Sequence, residues 1–240
     1  MFPRQDFPAS GRPRTIAIIP ARGGSKRIPR KNIRSFRGKP IIEWSISAAL
    51  RSDLFDVVMV STDDSEISAV ALSCGADVPF MRSSASSGDY STTADVLNEV
   101  LGAYAAKGEW FDLVCCLYPT APFIQPQDLI DGAKLLSDSF DVIMPVARFD
   151  YPIWRSLTRD VTGRLTQNFP ENQSARSQDL PAAYHDAGQW YWFKVGVLDN
   201  GGDLMGCNTG SIVIPSSRVQ DIDTEDDWIL AEVKHKGMVG

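Results

Sequence analysis

The stretch TIAIIPARGGSKRIPRKN, from Thr15 to Asn32, joins an apolar run to a basic loop with two adjacent glycines. Its first six residues are almost continuously apolar, which is typical of a strand buried on both faces of a parallel sheet. Gly23 and Gly24 lack Cβ atoms, so the backbone there can approach a ligand and direct amide groups toward phosphate oxygens. The same stretch carries five cations, Arg22, Lys26, Arg27, Arg30 and Lys31, and a sixth, Arg34, lies just beyond it. The stretch predicts a strand leading into an anion-binding turn, although a flexible basic surface turn has the same composition.

Basic residues are concentrated at one end of an acidic chain. Residues 1–39 hold eleven Lys and Arg against one acid, whereas the other residues hold thirteen against twenty-nine, and the net charge is −6. The loop matches neither G-x-x-x-x-G-K-[ST] nor G-x-G-x-x-G. One basic segment in an acidic protein favours a compact polyanion such as a nucleoside triphosphate as the ligand, and a nucleic-acid patch is the alternative.

Apolar runs and helical patterns alternate along most of the sequence. The runs predict six strands: residues 15–20, 57–62, 113–120, 142–148, 189–195 and 211–215. Most of them are continuously apolar rather than alternating, as in strands covered on both faces. The alternation predicts a three-layer α/β fold with a mainly parallel central sheet.

Four helices are predicted between these strands. The first carries an apolar stripe of Ile42, Ile46, Ala49 and Leu50. The second begins at Asp63 as N-cap, with Glu66 at N3, and ends at Gly75. The other two span about 92–106 and about 127–137. From about residue 148 to 190 the rhythm breaks into an aromatic, polar and proline-containing excursion, which predicts a segment that covers a site or contacts another subunit.

The composition is that of a soluble globular protein. Its 240 residues, 43% of them hydrophobic, suffice for a full core. No apolar run approaches the ~20 residues of a membrane helix, and the N-terminal residues contain no signal-peptide h-region, so we expect a cytoplasmic protein without membrane partners. The four cysteines have no CxxC spacing, which predicts buried reduced thiols rather than a metal site or disulfides: Cys74, Cys115, Cys116 and Cys207.

Five segments in the same order resemble one family. The run IIPARGGSKRIPRKNI is similar to the N-terminal signature of the cytidylyltransferases that activate nonulosonic (sialic-type) acids. The further matches are STDD at 61–64, YPTAPF at 118–123, RSQDLP at 176–181 and DIDTEDDW at 221–228. The resemblance implies a Rossmann-like nucleotidyltransferase fold and an enzyme whose sugar-acid substrate attacks the α-phosphate of CTP with its anomeric hydroxyl, releasing pyrophosphate.

The resemblance also assigns nucleotide-binding roles to residues of this chain. The triphosphate and cytidine contacts implied by the motif match are Arg22, Gly23, Gly24, Ser25, Lys26, Lys31 and Asn32. Arg82 and Thr93 lie at spacings similar to further nucleotide contacts, while a polar loop and a helix N-cap explain them equally well. Arg22 and Lys26 are expected to be catalytic, because such a displacement needs charge neutralisation and alignment.

Asp221 and Asp223 are the expected magnesium ligands and are counted with the catalytic residues. Side chains at i and i+2 of an extended segment project to the same face, so the pair offers two hard oxygen ligands to one Mg²⁺. The alternative is that these acids only precede a helix, for which Thr224 is the expected N-cap and Asp227 the N3 residue. That alternative leaves both Asp221 and Asp223 without a role.

The sugar is expected to be pseudaminic acid, a nine-carbon sugar acid. The segment AYHDAGQWYW at 183–192 resembles the corresponding element of pseudaminic acid cytidylyltransferases, and Tyr118 replaces a Gln of the sialic acid enzymes. The resemblance places sugar contacts at Arg176 and Gln178, and we expect Tyr118 and His185 to shape the substrate site. N-acetylneuraminic or legionaminic acid remains the alternative substrate, and a nucleic-acid-binding protein that uses the basic segment is the alternative of a different class.

The domain boundaries follow from these assignments. We expect a disordered tail at 1–14, a nucleotide-binding catalytic core at 15–147 and 196–240, and a substrate and dimerisation arm at 148–195. The resemblance implies an arm exchanged between two subunits, and hence a homodimer. The aromatic residues 190–193 suit such an interface, but their strand-like pattern also suits the core of one monomer.

Overall fold

The structure, a computed structural model, describes residues 11–88, 91–136, 139–200 and 208–238. Residues 1–10 of the expected tail and Cys207 lie outside these ranges. At the end of that tail, Arg12 pairs with Asp56 at 2.6 Å, and the backbone N–H of Arg14 donates to Asp112 at 2.7 Å. In the described ranges, no helix combines the length and the apolar composition that crossing a bilayer requires.

Eleven strands and five helices are found in the described ranges. The strands are β1 (Thr15–Pro20), β2 (Ser35–Phe36), β3 (Lys39–Pro40), β4 (Val57–Ser61), β5 (Leu113–Leu117), β6 (Val142–Arg148), β7 (Leu157–Arg159), β8 (Leu165–Gln167), β9 (Tyr184–Asp186), β10 (Trp190–Lys194) and β11 (Thr209–Val213). The helices are α1 (Ile41–Ser52), α2 (Ser65–Ser73), α3 (Thr93–Ala105), α4 (Pro126–Leu135) and α5 (Glu225–Met238). All six predicted strands are present, and the four predicted helices correspond to α1 to α4.

The central sheet has the strand order β11-β6-β10-β5-β1-β4. A seventh strand, β9, pairs with the C-terminal part of β6, whereas β10 pairs with its first residues. β1 is parallel to β4 and β5, and β6 is parallel to β11. β10 is antiparallel to both β5 and β6, so β5 and β6 also run in the same direction. The sheet is therefore mainly parallel, as the continuous apolar runs predict.

Alternate residues of β1 point into two different apolar clusters, one on each face of the sheet. Ala17 and Ile19 pack in a cluster with residues of α1, α2 and α4. Ile16 and Ile18 pack in a second cluster with residues of α3. All four of these β1 residues are fully buried. Helices on both faces of one sheet give the predicted three-layer α/β fold.

Two local predictions at helix ends are corrected. The N-cap of α2 is Asp64 rather than Asp63, because the Asp64 side chain accepts the backbone N–H groups of Glu66 and Ile67. The N-cap of α3 is Thr92, so Thr93 is the first residue of the helix and does not cap it. In α1, Ile42, Ile46 and Ala49 are buried as predicted, whereas Leu50 is 43% exposed.

The excursion after β6 is only partly separate from the sheet. Its hairpin β7–β8 forms a two-stranded sheet of its own, and β9 then returns to pair with the end of β6. The aromatic residues that follow belong to the core: Trp190, Trp192 and Phe193 are fully buried in β10, between β5 and β6. Of the two predicted locations for these aromatic side chains, the structure shows the core of the monomer. Their composition is therefore no evidence for a subunit interface.

A smaller cluster attaches the C-terminal helix to the region just after the basic loop. Phe36 contacts Trp228 edge to face at 5.6 Å between ring centroids, and Ile28, Ile222 and Ala231 are buried with them. This packing brings residues 221–223, which precede α5, against the basic loop.

Candidate active site

Several candidate residues follow strands that end at one edge of the sheet. β1, β4 and β5 are parallel, so Ala21, Thr62 and Tyr118, the residues that follow them, lie at their common carboxyl edge. In open α/β sheets, ligands bind in the crevice outside the carboxyl ends of the strands. We refer to this region as the carboxyl edge and to residues 21–34 as the glycine-rich loop.

Gly23 is needed for a close contact between the glycine-rich loop and the end of β4. Its backbone N–H donates to Asp63 Oδ1 at 2.9 Å. A Cβ on Gly23 would lie 2.7 Å from Asp64 Oδ2 and 3.0 Å from Asp64 Cβ, whereas one on Gly24 would meet nothing within 4 Å. The two glycines therefore differ: Gly23 is fixed by packing, and Gly24 is open to the outside.

The loop is also fastened by residues that sequence reasoning left without a role. Arg30 has a φ of 55°, in the left-handed region, and its guanidinium donates to both oxygens of Asp64 and to Glu66. The hydrogen bonds from Arg30 are the main cause that lowers the pKa of Asp64 to about 2, with the backbone N–H of Ile67 contributing. Arg30 belongs to the quoted motif, but its partner 34 residues away could not be read from spacing.

Most cations of the glycine-rich loop are directed at carboxylates of the same chain. Besides Arg30, they form three pairs: Arg27 with Asp223 at 2.9 Å, Lys31 with Asp223 at 3.3 Å, and Arg34 with Glu225 at 2.5 Å. Each of these carboxylates offsets part of the positive charge that an extended polyanion such as a nucleic acid would need. The arrangement therefore argues against the nucleic-acid alternative.

Arg22, Lys26 and Arg82 contribute positive charge at the end of β4 and in the loop. The Arg22 guanidinium donates to the Gly88 carbonyl at 3.3 Å, and Lys26 is exposed. Arg82 is buried and donates to the hydroxyl and the carbonyl oxygen of Ser61. Burial lowers the pKa of Arg82, while the charges of Asp63 and Glu99 oppose that change and Arg22 adds to it. The structure thus brings Arg82 into the electrostatic environment of Arg22.

Ser25 and Asn32 shape the loop. The Ser25 backbone N–H donates to the Gly23 carbonyl at 3.0 Å in a tight turn. The Asn32 side chain is buried, and its amide donates to the Arg22 carbonyl at 2.9 Å. Asn32 therefore holds the backbone of the residue that precedes the glycines.

Asp221 and Asp223 lie beside the loop rather than at the end of a strand of the sheet. Lys31 Nζ donates to the Ile222 carbonyl at 2.6 Å and lies 3.3 Å from Asp223 Oδ1. Partial burial raises the pKa of Asp221, and the neighbouring charge of Asp223 raises it further. Thr224 and Asp227 form the predicted capping arrangement, since Asp227 accepts the Thr224 N–H at 2.8 Å and the Thr224 hydroxyl accepts the Asp227 N–H at 3.3 Å.

The aspartate pair fits a magnesium ion. The charge of Asp223 raises the pKa of Asp221, and a divalent cation is favourable where carboxylates repel in this way. Mg²⁺ is typically held by one or two carboxylates together with waters and substrate phosphates. Among the described residues, no cluster of three or more His, Cys, Asp or Glu side chains could hold a metal ion. A site at Asp221 and Asp223 would thus depend on oxygens that the nucleotide brings.

Tyr118 lies in a polar cluster just past the end of β5. Its ring centroid is 5.4 Å from that of Tyr191. The Tyr191 hydroxyl donates to Asp186 Oδ2 at 2.6 Å. Burial raises the pKa of Tyr118 and, much more, that of Tyr191. Tyr191 and Asp186 were missed as site residues because only the fold places them beside Tyr118.

Arg176, Gln178 and His185 make their described contacts within the excursion or with β6 and the residue that follows it. Arg176 donates to Asp179 at 2.7 Å and is largely exposed. Gln178 lines an open groove with Arg148, Tyr151 and Arg155. His185 pairs with Ala147 through β9, and its ring packs on Phe149 at 4.9 Å. In the part of the chain that the structure describes, the partners of these three side chains thus belong to the excursion and to β6 rather than to the glycine-rich loop.

Comparisons with known proteins give consistent results. Residues 16–187 match the family model described as cytidylyltransferase. The chain is 38% identical over 225 residues to the pseudaminic acid cytidylyltransferase of Campylobacter jejuni, covering 93% of this chain and 97% of that protein. It is 34% identical to the CMP-N,N'-diacetyllegionaminic acid synthase of Legionella pneumophila, covering 91% of this chain and 95% of that protein.

A solved structure confirms the fold. CMP:2-keto-3-deoxy-manno-octonic acid synthetase complexed with CTP matches with a TM-score of 0.69 and 19% identity, covering 94% of this chain and 98% of that one. At that identity the likeness supports the Rossmann-like architecture and no finer conclusion.

Proposed function

The chain belongs to the cytidylyltransferase family and is a nucleotidyltransferase, and from that premise we propose that it makes CMP-pseudaminic acid from CTP and pseudaminic acid. The observation that carries the nucleotide half of the proposal is the meeting of the glycine-rich loop with Asp221 and Asp223, joined by Lys31. The near full-length relatives named for pseudaminic acid support the choice of sugar over the legionaminic acid relative.

The proposed reaction is a displacement at the α-phosphorus of CTP. The anomeric oxygen of the sugar acid bonds to phosphorus, the bond from phosphorus to the β-bridging oxygen breaks, and pyrophosphate leaves while the hydroxyl proton passes to solvent. Arg22 and Lys26 would offset the charge of the triphosphate, and the open side of Gly24 would let its backbone approach the phosphates. Arg82 and Thr93 would contact the nucleotide, and Arg176, Gln178 and His185 the sugar acid.

A magnesium ion held by Asp221 and Asp223 would neutralise phosphate charge and reduce the repulsion between two anionic substrates. Lys31 would keep this pair in place through its bond to the Ile222 carbonyl. The protein's own part in catalysis is thus to align and to neutralise, which is what a phosphoryl-type transfer chiefly needs.

We also propose a homodimer in which the excursion contacts a second copy. Its apolar side chains are unusually exposed: Tyr151 at 87%, Leu157 at 51%, Val161 at 101% and Leu165 at 57%. Several large apolar groups exposed on one short segment favour a protein contact.

Pyrophosphate release tests the proposal. The protein is incubated with CTP and Mg²⁺ and with pseudaminic, N-acetylneuraminic or legionaminic acid in separate reactions, with a chelator-treated sample as control. Release with pseudaminic acid, lost on chelation, is the expected result. Release only with another sugar would replace the substrate and keep the chemistry, and silence with all three would overturn the proposed function.

A further inference from the structure

The segment that carries the aspartate pair is held by side chains rather than by a neighbouring strand. In the described part of the chain, residues 219–223 belong to no strand or helix and lie between β11 and α5. Backbone carbonyls in such a segment still need hydrogen-bond donors. The donors are four side chains: Gln189 to the Arg218 carbonyl at 2.6 Å, Lys234 to the Val219 carbonyl at 2.7 Å, Gln220 to the Asp221 carbonyl at 3.0 Å and Lys31 to the Ile222 carbonyl at 2.6 Å.

Gln189 joins this segment to the carboxyl edge of the sheet. It directly precedes β10, is only 2% exposed, and accepts the backbone N–H of Tyr118 at 2.9 Å with its own backbone carbonyl. Its side-chain oxygen is buried without a hydrogen-bond partner among the described residues. A buried, unpaired acceptor destabilises the folded protein. The bond from the side-chain nitrogen to the Arg218 carbonyl is the contact that explains an amide at this position.

Arg218, whose carbonyl Gln189 holds, is itself fixed to α4. Its guanidinium donates to both oxygens of Asp128, at 2.6 and 3.0 Å, and the two side chains are only 16% and 10% exposed. Asp128 also accepts the backbone N–H of Gln125 at the start of α4. A bidentate pair fixes the relative orientation of its two members. The residue that precedes the segment therefore has a defined position against the sheet and α4.

Lys234 supports the segment from α5. Its ammonium group donates to the Val219 carbonyl at 2.7 Å and to the side-chain oxygen of Gln220 at 3.0 Å. The Gln220 side chain in turn donates to the Asp221 carbonyl. One lysine thus holds the backbone two residues before Asp221 and orients the side chain that holds the backbone of Asp221 itself.

We propose that Gln189 and Lys234 are positioning residues for magnesium, which fix the backbone of residues 218–221 so that Asp221 and Asp223 face one cation before it binds. Neither side chain is expected to touch the ion or a substrate. Two neighbouring carboxylates repel each other, and a backbone that is already ordered lowers the entropic cost of bringing them to one ion. The inference rests on the magnesium role in the proposed function.

Two methionine substitutions remove these contacts with little change of length. Gln189→Met removes the donor to the Arg218 carbonyl together with the unpaired buried oxygen, so the two effects on stability oppose each other. Lys234→Met removes the donor to Val219 and Gln220. Both variants keep Asp221 and Asp223 as they are.

Lys194→Met is the matched control. Lys194 pairs with Asp141 at 2.9 Å and is about as exposed as a partly buried lysine of the segment's surroundings. It lies beside Leu113, the first residue of β5, and hence at the edge of the sheet opposite the carboxyl edge. Its substitution removes one lysine ion pair without touching residues 218–223.

The test uses Mn²⁺ in place of Mg²⁺ and measures the relaxation of water protons, with CTP present and the sugar acid left out. The relaxation distinguishes Mn²⁺ on the enzyme from Mn²⁺ on free CTP, and no turnover takes place. We expect the Mn²⁺ concentration at half-saturation to rise about tenfold in Gln189→Met and in Lys234→Met, because residues that orient metal ligands affect affinity on this scale. It should stay unchanged in Lys194→Met, and Asp223→Asn should lose the enzyme-bound signal.

Turnover gives a second measurement. With CTP and sugar acid, Gln189→Met and Lys234→Met should need more Mg²⁺ for half of the maximal rate and should reach the wild-type kcat at saturating Mg²⁺. A loss of kcat at every Mg²⁺ concentration would contradict a positioning role. Thermal unfolding shows which variants fold, and if Gln189→Met does not, Lys234→Met decides alone.

The outcomes separate this inference from the proposed function. If Asp223→Asn loses the Mn²⁺ signal while Gln189→Met and Lys234→Met bind Mn²⁺ as the wild type does, the inference is overturned and the proposed function stands. If Asp223→Asn binds Mn²⁺ as the wild type does, the inference and the magnesium role of the aspartate pair are both overturned. A wild type that is silent with all three sugars but shows the expected Mn²⁺ affinities overturns the proposed reaction and supports the metal-positioning role.

Discussion

Lys31 joins two parts of the site that lie 191 residues apart in the sequence. Its side chain is only 19% exposed, and its ammonium group contacts both a backbone carbonyl and the carboxylate of Asp223. A charge-assisted hydrogen bond of this kind is stronger than a neutral one, and its loss leaves the acceptors without a partner. Lys31 therefore links the glycine-rich loop to the segment 221–223 through two acceptors, and Arg27 adds a second ion pair to Asp223.

Lys31→Met keeps the length of the side chain and removes its charge. We expect kcat/KM for CTP to fall roughly 10- to 100-fold, because the Ile222 carbonyl loses its donor, Asp223 loses one of its two cationic partners, and the site loses a cation. Lys39→Met is the control, since Lys39 pairs with Glu43 over the Trp44 ring outside the site. Equal activity of the two variants would remove Lys31 from the site.

Gly23→Ala tests the contact between the glycine-rich loop and β4. The new Cβ would overlap Asp64, which is itself held by Arg30 and by the start of α2, so neither side can move freely. We expect the free energy of unfolding to fall by about 1–3 kcal/mol, measured by urea denaturation. Gly24→Ala, whose Cβ meets nothing, should unfold as the wild type does. A Gly23 variant as stable as the Gly24 variant would contradict the packing account.

At the scale of elements, continuous apolar runs were sufficient to locate all six predicted strands. The bounds of β1 (Thr15–Pro20) and β6 (Val142–Arg148) are as predicted. A strand that is buried on both faces is apolar along most of its length, so its ends can be located in the sequence. Helix ends were less certain: Asp63 and Asp64 are adjacent acids, and either could cap α2. Only the three-dimensional contacts show that Asp64 caps and that Asp63 accepts the Gly23 N–H.

The N-cap residue of α2, Asp64, also makes the free energy of unfolding depend on pH in the acid range. The pKa of Asp64 is about 2 in the folded protein and about 3.9 in an unfolded chain, so folding favours the ionised form. Its contribution is complete above the unfolded value and is lost as the pH falls from about 5 toward 2. We expect the free energy of unfolding of the wild type to fall in this range by about 2 kcal/mol more than that of Asp64→Asn.

Urea denaturation at several pH values measures the difference. Asp131→Asn, at an exposed carboxyl group on α4, is the control and should follow the wild type. If the free energy of unfolding of the wild type and of Asp64→Asn fell in parallel with pH, the pair with Arg30 would not be lowering the pKa of Asp64.

At the scale of the whole molecule, contacts between distant segments assemble the site. The pairs of Arg30 with Asp64 and of Lys31 with the Ile222 carbonyl span 34 and 191 residues, and no spacing rule predicts them. The motif match named Asn32 as a candidate nucleotide contact, but it gave no information on the contacts that hold this side chain, such as its bond to the Arg22 carbonyl. It also suggested an interface for the aromatic residues 190–193, because a buried central strand and a buried interface have the same composition.

The protein is predicted to form a homodimer through the excursion. We expect sedimentation equilibrium to give twice the 26.4 kDa chain mass, and Leu157→Lys with Leu165→Lys to shift the protein toward the monomer. Ile229→Lys with Val233→Lys places the same charges on the exposed face of α5 and should leave the mass unchanged. A wild-type monomer, or equal dissociation of both variants, would show that the excursion is not the contact.

The two ends of the excursion lie side by side. Arg148, the last residue of β6, pairs with Tyr184 at the start of β9, and the Phe149 N–H donates to the Ala183 carbonyl at 3.0 Å. A segment whose entry and exit are adjacent can change in length at only a small entropic cost to the rest of the chain. The excursion could therefore be lengthened, shortened or replaced during evolution without disturbing the central sheet. Such changes would alter the surface that the excursion presents and leave the glycine-rich loop as it is.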